Sequence, residues 1–181
     1  MRGILDGVLV RRERPADTRD VQRVHHHAFA QPTDVTGVPP EVVLLSALRR
    51  SPDWIPHLSL VVEHVVDGII GHVVCTRARI GRGHPGLALG PLGVLPHHQG
   101  VGVGHALMHA VLAAAEAVDE TVVGVLGDPA YYARFGFRPA SAVGIAPQHL
   151  SWADNFQVRI LGASGAPPTG RFHYPAPFAA L

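Results

Sequence analysis

Residues 87–118 read LALGPLGVLPHHQGVGVGHALMHAVLAAAEAV, and the order of residue types in this stretch decides the fold. An apolar run, Leu87 to Leu95, is cut off by Pro96. A short polar bend follows, His97-His98-Gln99, and then three glycines at every second position, Gly100, Gly102 and Gly104. Beyond them Val103, Leu107, Val111, Ala114 and Val118 recur at three- and four-residue intervals, the spacing of one buried stripe on an amphipathic helix. The segment predicts a strand, a turn and a helix.

The turn is where chemistry is expected. The first N–H groups of a helix have no internal partner, and the helix dipole makes that end electropositive. Glycines remove Cβ atoms there, so an anion such as a phosphate can approach the main chain. A plain strand-to-helix turn would account for one glycine and explains three in alternation poorly. A Walker loop is excluded because no G-K-[ST] follows. A dinucleotide fingerprint does not fit either, since the spacing is G-x-G-x-G and Pro96 to Gln99 separate the strand from the first glycine.

The segment resembles the acetyl-CoA loop of the GNAT superfamily of acyl-CoA N-acyltransferases, whose pattern V-x-P-x-x-[QR]-x-x-G-x-[GA] stands here as Val94, Pro96, Gln99, Gly102 and Gly104. The resemblance implies that backbone amides of Gln99, Gly100, Val101, Gly102, Val103 and Gly104 hold the pyrophosphate of CoA, with His105 in the first helical turn near the phosphates. It also implies that main-chain groups of Leu92, Gly93, Val94 and Leu95 pair with the pantetheine arm.

Composition narrows the alternatives. Net charge is +1, from 15 basic and 14 acidic residues, and no block of like charge appears, so capture of nucleic acid or an anionic membrane is not indicated. With 181 residues the chain is read as a single domain, 1–181, able to bury a sizeable core. The one cysteine, Cys75, leaves no partner for an internal disulfide and fits a reducing compartment. The N-terminus, MRGILDGVLVRR, carries Asp6 inside a short apolar run and is a poor signal peptide, and no eighteen consecutive apolar residues occur. A cytoplasmic protein is expected.

Working outward, Val8 to Val10 predict a first strand, ended by Pro15, and Asp17 or Thr18 is placed to cap a helix with Val21, Val24, Ala28 and Phe29 on one face. This stretch looks like the family's opening strand of the R-x-x-x-x-D type and its helix. Residues 31–39 read as a loop, and Pro39 or Pro40 begins a second helix carrying Val42, Val43, Leu44 and Leu48. The family places part of its acceptor pocket between two such helices. Leu58 to Val66 and Ile69 to Ile80 predict a hairpin joined by Asp67-Gly68, the pair a type I′ turn favours, with Gly71 marking a bulge. Thr121 to Leu126 predict a strand buried on both faces. Phe156 to Leu161 predict the last strand, before a Gly/Pro-rich loop, 162–170.

A second block follows the buried strand: Gly127-Asp128-Pro129, then Ala130-Tyr131-Tyr132-Ala133-Arg134-Phe135-Gly136-Phe137. It reads as a short helix capped by Gly136. It resembles a group of bacterial GNAT proteins of largely unassigned substrate, in which a tyrosine lies four residues before the glycine of a G-F pair; here that residue is Tyr132. The resemblance covers roughly residues 8 to 161. It implies an α/β domain whose mixed, largely antiparallel sheet is flanked by helices and splayed at the central strand near Val94.

Acyl transfer from a thioester to an amine needs positioning, a route for the amine's proton and stabilisation of an oxyanion. Tyr132 is the candidate acid for the departing thiolate of CoA, with Tyr131 the alternative; Tyr131 and Asp128 are also placed at the cofactor. A backbone N–H near Val94 would meet the oxyanion. Among Glu63, His72, His84 and His98, His72 is favoured as base for its near-neutral titration and its strand beside the central one. A metal is not expected: His25-His26-His27 would splay around a helix, and His105 and His109, four apart, lack the glutamate of H-E-x-x-H. The expected activity is transfer of acetyl from acetyl-CoA, as co-substrate, to a primary amine in a direct ternary complex. The acceptor, a small molecule or a protein amine, is left open, and so is a homodimer. The competing reading is a CoA or acyl-CoA sensor without turnover; a nucleotide-binding oxidoreductase would rest on Asp128 alone.

Overall fold

In chain order the strands are β1 (Val8–Arg12), β2 (Trp54–His64), β3 (Gly68–Ile80), β4 (His84–Val94), β5 (Val122–Leu126), β6 (Arg138–Pro139), β7 (Ile145–Ala146), β8 (Phe156–Ile160) and β9 (Gly170–His173). The helices are α1 (Thr18–Phe29), α2 (Pro40–Leu48), α3 (Val103–Glu116) and α4 (Pro129–Tyr132). The structure is a computed structural model that describes residues 7–31, 37–162 and 166–180. The expected N-terminal apolar run, most of the loop between α1 and α2, and part of the loop before β9 lie outside the described residues.

The strands form one sheet in the order β1-β2-β3-β4-β5-β8-β6. β2, β3 and β4 are an antiparallel meander, as their β-rich runs and short turns predict, and β1 pairs antiparallel with β2 after the chain has passed through α1 and α2. β5 joins β4 in parallel because α3 carries the chain back across the sheet. This gives the mixed, largely antiparallel sheet that the sequence implies. The segment 156–161, expected to be the last strand, is followed by β9, which adds to β3 and carries Phe172 into the core. Among the described residues no helix is long and apolar enough to cross a membrane.

The predicted periodicities hold where a face meets the sheet. Val103, Leu107 and Val111 of α3 are fully or almost fully buried, each contributing about 1.5–3 kcal/mol relative to exposure. Val118, assigned to the same stripe, lies beyond the end of the helix and is 43% exposed, so Ala115 takes its place in the core. In α1, Val21 and Val24 are buried, whereas Ala28 and Phe29 face cavities described below.

Two local expectations are corrected, and the bulge at Gly71 is met. β2 ends at His64, because the N–H of Asp67 donates to His64 Nδ1 (3.2 Å), and the connection is Val65-Val66-Asp67 with Gly68 at φ +69°; it is not a two-residue type I′ turn. The bulge opposite Val62–Glu63 falls beside Gly71. Asp17 does not cap α1 with its side chain. It accepts from Arg14 N–H (2.7 Å) and pairs with Arg11 (2.6 Å), closing the turn that leads from β1 into the helix. The guanidinium of Arg11 holds its carboxyl below the usual range.

Candidate active site

β4 pairs with β5 over Leu87–Leu89 and Val123–Val125, and from Gly90 on the two strands part. The register between β3 and β4 shifts between Val73 and Cys75, which leaves one extra residue in β4 beside Gly90-Pro91, a cis peptide. Pro91 has no N–H to give to a ladder. The splay and the bulge thus begin at Gly90-Pro91, upstream of Val94, where the sequence had located them.

Downstream of Val94 the chain makes a 3-10 turn, Pro96–His98, and the side chain of Gln99 donates back to Val94 O (2.9 Å). The three glycines do different work. Gly100 (φ +72°) and Gly102 (φ +100°) adopt left-handed backbone that side chains resist, and neither is crowded. Gly104 is needed for space, because a Cβ there would lie 2.9 Å from the hydroxyl of Tyr131. α3 starts with Gly102 at its N-cap and no side-chain cap, so its first N–H groups stay open. They border a cavity of about 570 Å³ whose wall includes Gln99, Gly100, Gly102, Gly104, His105 and Arg134.

A second cavity, of about 600 Å³, fills the gap between the parted strands. One side is the edge of β4 from Leu89 to Leu92, and another is Leu126 to Asp128 with Tyr131 and Tyr132. The far wall is aromatic, from Trp152, Tyr174 and Phe178, and Glu41 enters from α2. Phe29, Leu92 and Tyr131 belong to both cavities, so the two meet there. Burial pushes both phenols, Tyr131 and Tyr132, above their ordinary value, and each is protonated at neutral pH. Asp128 caps α4, accepting from Ala130 N–H (2.9 Å).

The geometry brings together Leu92, Val94, Gln99, Gly100, Gly102, Gly104, His105 and Tyr131 around the first cavity, and Leu92, Asp128, Tyr131 and Tyr132 around the second. Gly93 and Leu95 point elsewhere: Gly93 packs against His25, Leu95 is buried, and its N–H is spent on Ile70 O (2.9 Å). Val103 is a core residue and Val101 faces outward. Neither contributes a side chain to a wall, so each can offer only main-chain groups.

His72 is placed away from both cavities. It is fully buried, its Nδ1 2.8 Å from His25 Nε2 and its Nε2 2.9 Å from Ser59 Oγ. Burial lowers its affinity for a proton more than nearby Glu13 raises it. Glu63 is paired with Arg11 (2.6 Å) and His98 faces Asp67 (3.1 Å). The carboxylates that do reach a cavity, Glu41 and Asp128, were not among the candidates for base.

Arg134, Phe29, Glu41, Trp152, Tyr174 and Phe178 were also missed. Arg134 was legible, as the single cation within the tyrosine block; the aromatic residues of the far wall sit in irregular segments that carry no periodicity. Among the described residues no three His, Cys, Asp or Glu side chains converge to hold a metal ion. His105 and His109 instead pack on the ring of Phe135, 4.7 and 5.4 Å between centroids.

Comparison with known proteins bears on the same features. Residues 56–139 match the family model of the acetyltransferase (GNAT) domain. The chain is 32% identical over 129 residues to the uncharacterized N-acetyltransferase YjhQ of Escherichia coli (strain K12), covering 70% of this chain and 67% of that protein. The crystal structure of the GNAT family N-acetyltransferase YhbS from Escherichia coli, in complex with CoA, is 26% identical with a TM-score of 0.84 over 95% of this chain and 92% of that one. A GNAT family acetyltransferase from Brucella melitensis, in complex with acetyl-CoA, is 31% identical with a TM-score of 0.75, over 94% and 97%.

Proposed function

The chain belongs to the GNAT family of acetyltransferases, and we propose that it transfers the acetyl group of acetyl-CoA to a primary amine while both substrates are bound, with no acetyl-enzyme. The reading rests on one observation: the cavity over the glycine turn and the cavity between the parted strands meet at Leu92 and Tyr131. A thioester carrier laid across that junction has its diphosphate at one end and its acyl group at the other.

The residues fit such a carrier. Amides from Gly100 to Gly104 offer the diphosphate open donors at a helix start, the N–H of Gln99 being spent on Pro96 O (3.2 Å), and Arg134 and His105 stand at the same wall. A side chain in place of Gly104 would fill this cradle. Because Val94 O and Leu95 N–H already have partners within the protein, the pantetheine arm pairs with main-chain groups upstream, around Leu92, on the edge of β4 that β5 has left.

Positioning does most of the work. The neutral amine attacks the thioester carbonyl carbon, and charge develops on its oxygen. Pro91 cannot donate, so the N–H of Gly90 or Leu92 meets that oxyanion. As the C–S bond breaks, Tyr132 gives its proton to the sulfur; burial keeps this phenol protonated beforehand. The amine loses its own proton to water in the open second cavity.

Calorimetry with acetyl-CoA, CoA and NAD, followed by an amine screen read by CoA release, tests the reading. Binding of the two thioester-related ligands, rejection of NAD and intersecting initial-rate lines are expected. Binding with no turnover on any amine would favour a sensor, and parallel lines would mean an acetyl-enzyme.

A further inference from the structure

The geometry points to an acceptor class: a small amine with an aromatic or branched apolar body and no carboxylate. This rests on the acyl-transfer reading above and adds to it the chemistry of the second cavity. At about 600 Å³ the space suits a small molecule. Trp152, Tyr174 and Phe178 on its far wall, with Phe29 where the two cavities meet, present surfaces that favour a flat or branched apolar group.

The charge lining this cavity is of one sign. Glu41 and Asp128 line the cavity, and among the described residues no Lys, Arg or His does. Asp128 spends one oxygen on capping α4. Glu41, in the first turn of α2, has no ion-pair partner among the described residues. A protonated amine is drawn in by these carboxylates and by the aromatic faces around them, and gives that first proton to water in the open cavity before it attacks as the neutral amine. An α-carboxylate on the same skeleton would meet two like charges with no cation to offset them, which argues against free amino acids. A polyhydroxylated aminoglycoside would find apolar walls where it needs hydrogen bonds.

The test uses the full-length protein with phenethylamine, isoamylamine, phenylalanine, an aminoglycoside and a lysine peptide, each assayed for CoA release and, separately, for binding with and without CoA. Phenethylamine is expected to exceed phenylalanine in kcat/KM by about tenfold or more, as like-charge juxtaposition costs several kcal/mol. Glu41→Gln should raise KM for phenethylamine with kcat little changed, and Trp152→Ala should erase the preference of phenethylamine over methylamine. Turnover confined to amino acids, aminoglycosides or peptides overturns the acceptor class and leaves acyl transfer standing. If CoA itself does not bind, the acyl-transfer reading fails, and the direct binding assay still decides: no phenethylamine binding, or binding unaltered in both variants, overturns this inference too.

Discussion

The hydroxyl of Tyr131 lies 2.9 Å from the point where a Cβ on Gly104 would stand, so one side chain of the tyrosine block closes over the first turn of α3. Gly104→Ala must displace a phenol that can swing away, so the fold survives. The junction of the two cavities does not keep its shape. CoA affinity should fall about tenfold, near 1.4 kcal/mol, with little change in Tm. Gly102→Ala reverses the pattern: it meets nothing within 4 Å but must hold φ +100°, a strain of about 1–2 kcal/mol. Calorimetry and thermal melts on the two variants separate the effects, and equal affinity losses would count against the role given to Tyr131.

Tyr132 has a different assignment. Its ring rests against Gly127 and Phe137, and it lines the second cavity without reaching the first. Tyr132→Phe keeps this packing and removes the proton. Turnover should drop by about 10²-fold, within the range of general acid catalysis, while the dissociation constant for CoA stays within a factor of about two. Tyr131→Phe should do the reverse, weakening CoA more than it slows the chemistry. Full activity in Tyr132→Phe would remove the phenol from the mechanism.

How far these assignments could be read from the sequence depends on the kind of signal each residue carries. The turn at Gln99 to Gly104 was legible because positive φ and close approach leave glycines at fixed spacing. The meander was legible because alternating and apolar runs ended at turn residues. The position of the splay was displaced, since Gly90-Pro91 sits inside an apolar run that reads as continuous strand. The far wall of the acceptor cavity was not legible at all. Trp152, Tyr174 and Phe178 come from short 3-10 turns and loop ends, and their meeting depends on β9 crossing back to β3. His72 was misread for a related reason. A histidine on a central strand gives no sign of whether it faces a cavity or, as here, a second histidine.

Arg134 borders the first cavity and stacks over the ring of Tyr131, 5.1 Å from its centroid. It is exposed, so its pull on a bound diphosphate is screened. Arg134→Gln should weaken CoA about fivefold at low salt, in keeping with the ~1 kcal/mol of an exposed pair. The difference from wild type should shrink as salt rises, with KM for the amine unchanged. A loss independent of salt would mean that the arginine acts through the tyrosine ring alone.

The interior holds one polar chain whose protonation bears on stability. Arg49 pairs with Glu13 (2.5 Å), Ser59 donates to Glu13, and His72 joins Ser59 to His25. Burial pushes both imidazoles below their ordinary value, His25 furthest, so they are neutral and Arg49 is the cation that offsets Glu13. Burial alone would raise the Glu13 carboxyl, and its hydrogen bonds outweigh that and hold it low. Both imidazoles bind protons more readily in the unfolded chain, so the stability they add is complete above pH 6.5 and declines as pH falls below it. Glu13 adds a second decline, beginning near pH 4.5 where the unfolded carboxyl takes up its proton. Tm measured from pH 8 to 4 should therefore start to fall well before the carboxylates titrate. His72→Gln should flatten the first decline, at a cost of about 1–3 kcal/mol for polar groups left without partners. A wild-type Tm that stays level from pH 6.5 to 5 would mean that the rings are charged in the folded protein, and the neutral pair would have to be abandoned.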